Sequence, residues 1–115
     1  MPGENIQDWS ITAASNGTAD SSINFAEGQT RASLNNSCRS VMAAVAKDRN
    51  LKNGSIATGG SANALTFQSG LSYASVPTGL VARLKFSATN TLASPTLSMD
   101  GLSFVTIKNL LGADL

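Results

Sequence analysis

Between residues 80 and 88 the chain alternates, with Leu80, Ala82, Leu84, Phe86 and Ala88 on one side and Val81, Arg83, Lys85 and Ser87 on the other. A period of two predicts a strand with one buried and one solvated face. Shorter alternations follow at Leu97 and Met99 and again at Val105 and Ile107, separated by Asp100-Gly101, a strong hairpin signal. Ile56-Ala57-Thr58 and Leu65-Thr66-Phe67 read as two further strands around Gly59-Gly60. Residues 54–115 are therefore expected to form a meander of about five short antiparallel strands.

Upstream the period changes. Arg31, Leu34, Cys38, Val41, Val45 and Asp48 recur at alternating steps of three and four, the spacing of a helical seam. Thr30 is a suitable N-cap, and Asn50, Asn53 and Gly54 supply stop signals, so a helix is expected over 30–53. A helix of this length is marginal alone in water. Its stripe needs either the β region of the same chain or the same helix in neighbouring copies. Residues 1–29 show no period: Trp9, Ile11, Ile23 and Phe25 are scattered among polar residues. They read as an extended arm whose large side chains anchor to another surface, or as a tail that stays disordered. The fold class is α+β, mainly β: an extended N-terminal arm, one α-helix, then a small antiparallel β-sandwich-like domain. A β region of about 60 residues is marginally stable alone. It is expected to be completed by further chain, a second copy or a partner.

Composition narrows the chemistry. Ser, Thr, Asn and Gly make up 46 of the 115 residues, charged residues are 13%, and eight basic residues face seven acidic ones. No basic footprint for nucleic acid and no run long enough for membrane insertion results. No secretory signal is read at the N-terminus. With no histidine and a single cysteine, the usual nucleophile pairs and most zinc sites are missing. Gly59-Gly60-Ser61 lacks the lysine of a phosphate-binding loop. No catalytic residue, cofactor or metal is expected, and the chain is not read as an enzyme. Cys38, on the helical stripe, reads as a small buried apolar residue rather than a reactive thiol. Sequons at Asn16, Asn35 and Asn53 read as by-products of composition.

Charge divides unevenly. The arm carries Glu4, Asp8, Asp20 and Glu27 without a cation, while residues 30–53 carry Arg31, Arg39, Lys47, Arg49 and Lys52 against Asp48. This suggests pairing between arm and helix, with Arg31 and Arg39 as the cations to test.

Ile6-Gln7-Asp8-Trp9-Ser10 followed by Ile23-Asn24-Phe25-Ala26-Glu27-Gly28-Gln29 resembles the start of bacteriophage tail-fibre proteins. The resemblance continues through Asn35-Asn36-Ser37-Cys38-Arg39-Ser40-Val41-Met42-Ala43-Ala44, departing at Phe25, where Trp is usual, and at Cys38, where Ala is usual. Gly79-Leu80-Val81-Ala82-Arg83-Leu84, then Asn90-Thr91, then Pro95-Thr96-Leu97-Ser98-Met99-Asp100-Gly101-Leu102 is similar to modules repeated along such fibres. The resemblance implies a structural virion protein, the N-terminal part of a tail fibre that anchors it to the tail or baseplate for host attachment. It implies a homotrimer, other tail or baseplate proteins as partners, and a place in the virion tail after assembly in the host cytoplasm. Trp9, Ile23, Phe25 and Glu27 would then dock on the tail or baseplate, and Leu34, Cys38, Val41 and Val45 would form the oligomer seam. The rival reading is a lectin-like module recognising host carbohydrate, with Tyr73 as the aromatic residue.

Overall fold

The computed structural model describes residues 5–17 and 20–114. Contacts group the chain into two compact units, Met1–Arg49 and Asn50–Leu115.

The first unit is built on helix α1, Arg31–Lys52, whose final residues fall in the second unit. Thr30 caps it as expected: its Oγ1 accepts the Ser33 N–H at 3.2 Å, and its carbonyl accepts Leu34 N–H at 3.0 Å. Gly54, at φ +76°, follows the helix C-terminus in the left-handed conformation that closes many helices. The arm is turned rather than extended. Short 3-10 turns occupy Ile6–Asp8 and Ala13–Asn16. The Asn16 amide closes a ring with Ser10, accepting its N–H and donating to its carbonyl, each at 2.8 Å. Asp20 Oδ1 accepts both the N–H and the hydroxyl of Ser22 at 2.8 and 2.7 Å. Short polar side chains thus satisfy backbone groups locally, where no apolar face exists to order the arm.

The second unit contains two sheets. β2 (Gly59–Gly60), β3 (Ala64–Phe67), β5 (Thr96–Met99) and β6 (Val105–Thr106) pair in the order β2-β3-β5-β6, while β1 (Ile56–Ala57) pairs with β4 (Leu84–Lys85). The α+β class is observed, with helix and strand in similar share. The purely antiparallel meander is not. β3–β5 and β1–β4 are parallel, and only β2–β3 and β5–β6 are antiparallel. The reason is the chain between β3 and β5: residues 68–95 are long enough for a crossover, which parallel neighbours require. That crossover covers the apolar face of the sheet. Leu65 lies beside Leu97, which lies beside Val105, and Phe67 lies beside Met99. Leu51, Phe67, Leu71 and Met99 form the buried core, with Tyr73, Leu80, Ala82 and Leu84 packed against it.

Two local expectations change. The alternation at 80–88 correctly groups Leu80, Ala82 and Leu84 on the packed side, but only Leu84–Lys85 is laddered and Phe86 is exposed. The Arg83 N–H instead donates to the Leu51 carbonyl at 2.8 Å. Gly59-Gly60, expected as a separator, is itself a strand. A Cβ on Gly60 would stand 2.3 Å from the Ala64 carbonyl oxygen, so the close approach of β2 to β3 depends on glycine. The Asp100-Gly101 turn is as expected, with φ +53° and +79° and a Leu102 N–H to Met99 carbonyl bond of 2.9 Å. A two-residue turn would place Leu97 opposite Phe104, yet it faces Val105. The return strand therefore carries one extra residue, a β-bulge.

Candidate functional site

Helix α1 divides its surface by side-chain size. Ser37 and Ala44 are buried within the first unit and Ser33 is half-buried, one stripe of small residues. The Ser37 hydroxyl accepts the Asn24 N–H at 2.9 Å and donates to the Asn24 carbonyl at 3.1 Å. Gln7 Nε2 donates to Asp48 Oδ1 at 2.8 Å. Small residues let the arm backbone approach closely, so the arm lies on this stripe and the larger side chains stay uncovered. Leu34 is 46% exposed, Val45 50% and Met42 72%. Cys38, expected to be buried, is exposed, because the arm packs on the stripe of Ser37 and Ala44 instead, and Val41 is half-buried. Val41, Met42, Val45, Ala46 and Arg49 line a shallow depression of about 300 Å³ on this outer face. Arg31 and Arg39 are both exposed, and no ion pair or side-chain hydrogen bond joins either to another of the described residues. Hydrogen bonds of Ser33 to Gln29, Ser37 to Asn24 and Gln7 to Asp48 join the arm to the helix.

Three of the four expected docking residues come together. Trp9, Ile23 and Phe25, with Asn16, Asp20 and Val41, line a pocket of about 70 Å³. Ile23 is buried in its own unit, whereas Phe25 remains 43% exposed. The buried Trp9 Nε1–H has no hydrogen-bond partner among the described residues. Glu27 is exposed and does not line the pocket.

A polar depression of about 360 Å³ lies in the second unit, lined by Gln68, Gly70, Ser72, Tyr73 and Asp100. It owes its existence to the parallel pairing of β3 and β5, which brings the loop after β3 beside the turn after β5. The two walls are clamped together. Asp100 N–H donates to the Phe67 carbonyl at 2.9 Å, and Ser69 N–H donates to Asp100 Oδ1 at 2.6 Å. The Ser69 hydroxyl donates to Asp100 Oδ2, and accepts the Leu71 N–H at 3.1 Å. Ser72 and Asp100, at φ +57° and +53°, are the two non-glycine residues with positive φ among those described, and both line this depression. Tyr73 was legible as a loop aromatic, and the structure leaves it half-buried against the core. Gln68, Ser72 and Asp100 were not, because only the strand order assembles them.

Among the described residues no group of three or more acidic, cysteine or histidine side chains could hold a metal ion. No helix among them is long and apolar enough to cross a membrane. Neither a protein-family model, nor a curated protein, nor a solved structure matches this chain.

Proposed function

We propose that this chain is the attachment-end part of a bacteriophage tail fibre, a structural virion protein that trimerises through α1 and anchors the fibre to the tail or baseplate. The observation that carries the reading is the uncovered strip Leu34, Cys38, Met42 and Val45, left bare while the arm occupies the opposite small-residue stripe. Covering half-exposed side chains of this size contributes roughly 1 kcal/mol each. Steps of four, four and three keep Leu34, Cys38, Met42 and Val45 on one side of the helix, so three copies of the strip give an apolar seam. Phe25 and the pocket beside it supply the aromatic surface that a tail protein would engage.

Light scattering across a concentration range tests the seam. The native chain is expected to be a trimer, and Leu34→Asp with Val45→Asp is expected to give a folded monomer. A native chain that stays monomeric, or a double variant that stays trimeric, overturns the seam. A gold-labelled antibody against the chain, applied to virions that carry it, should mark the tail near its baseplate end. Label on the capsid, or none, defeats the virion assignment.

A further inference from the structure

We propose that the depression beside Tyr73 is a carbohydrate-binding site for a neutral pyranose. The inference stands on the second unit alone and does not rest on the attachment reading. The volume of about 360 Å³ falls in the range of small-ligand sites, which run from about 300 Å³ upward. Its lining has one aromatic ring, one amide, one hydroxyl and one carboxylate, together with the exposed backbone of Gly70.

Each part matches one requirement of a sugar. The faces of a pyranose present C–H bonds, which are electron-poor and pack on the negative face of an aromatic ring. Tyr73 supplies that ring, and its packing against the core cluster holds it in place. The edges of a pyranose present hydroxyls that both donate and accept. The Asp100 carboxylate is an acceptor whose two oxygens each already take one hydrogen from Ser69. That fixes its orientation and leaves further lone pairs for ligand hydroxyls, since a carboxylate has about four acceptor sites. Gln68 offers both donor and acceptor, and Ser72 offers a hydroxyl. The same lining disfavours other classes. An anion such as a phosphate would meet Asp100 with no cation in the wall. A wholly apolar ligand would strip water from the amide, hydroxyl and carboxylate without replacing their hydrogen bonds.

The backbone points the same way. Non-glycine residues at positive φ cost of order 1–3 kcal/mol and concentrate where a ligand must be clamped. The Asp100 value belongs to its turn, but Ser72 lies outside that turn and borders the same depression.

The test is an NMR titration of the full chain with glucose, galactose, mannose and N-acetylglucosamine separately, each to about 50 mM, since a single-sugar site is expected to bind in the millimolar range. At least one sugar should shift the resonances of residues 68–73 and 100 saturably. Tyr73→Ala should abolish those shifts. Because Tyr73 also packs on the core, Gln68→Ala is the second variant: its side chain is exposed, and losing its hydrogen bonds should weaken binding about fivefold to tenfold with the spectrum otherwise unchanged. No shift with any of the four sugars, shifts confined to other residues, or binding indifferent to Gln68→Ala overturns the site.

Discussion

Lys108 and Asp114 close the hairpin-like turn near the end of the described chain with a salt bridge of 2.7 Å between partly exposed side chains. The hydrogen bond from Lys108, with a second from the Ser94 hydroxyl at 3.0 Å, holds the Asp114 carboxyl below its ordinary value of 3.8. A carboxyl whose folded pKa is depressed contributes stability above its unfolded pKa and loses it as pH falls through the folded one. The turn is therefore expected to stay closed at neutral pH and to loosen only below pH 3.8. Both groups are exposed, so the effect on global stability is small. An NMR titration of the Asp114 carboxyl checks this directly. Its midpoint should lie below 3.8 and move back towards it in Lys108→Ala. A midpoint that does not respond to Lys108→Ala would mean the pair does not form in solution. Trp9 makes the complementary point at this scale. A buried indole N–H without a partner costs about 1–3 kcal/mol relative to a bonded one.

At the scale of elements, a buried serine of α1 latches the arm to the helix. Ser37 is 2% exposed and makes two bonds to the Asn24 backbone. Ser37→Leu removes both bonds and forces a larger side chain into the stripe the arm occupies, an expected loss of about 1–3 kcal/mol. Amide exchange at residues 20–27 should accelerate by one to two decades while circular dichroism keeps the helix, because leucine favours helix as well as serine or better. Unchanged exchange there would show that the arm is held by something other than this latch. What could be read from sequence follows from how local each signal is. The helix was legible because Thr30, Gly54 and the three-four spacing act within one or two turns. The Asp100-Gly101 turn was legible because two residues specify it. The partner of β3 was not, since Ala64–Phe67 pairs with Thr96–Met99 across an intervening crossover, and alternation reports which face is packed but not which strand lies alongside. The polar depression was hidden for the same reason. The buried side of α1 was hidden for another: large apolar residues mark the expected core face, whereas Ser37 and Ala44 are buried here because smallness, not hydrophobicity, suited the arm.

At the scale of the molecule, two forces could bring copies together, and they respond oppositely to salt. One is the apolar strip Leu34, Cys38, Met42 and Val45. The other is attraction between acidic arms and basic helices, residues 1–29 carrying four acids and no cation. Exposed charges separated by more than about 10 Å are largely screened at 0.1 M salt, so association through arm-helix charge should weaken as salt rises. Association through the strip should not. It also gathers exposed Arg31 and Arg39 from each copy around one seam, where like charges repel, and screening that repulsion tightens the assembly. The seam reading therefore predicts that the trimer of the native chain dissociates less, not more, when salt is raised from about 0.02 M to about 0.3 M. Sedimentation equilibrium at both salt concentrations measures this. Adding Arg31→Gln and Arg39→Gln together should reproduce the high-salt behaviour at low salt, because the variant removes the repulsion that salt screens. A trimer that falls apart at 0.3 M, or that is lost in the arginine variant, would move the assembly from the apolar strip to the charged arm. The acids of residues 1–29 would then face Arg31 and Arg39 of a neighbouring copy.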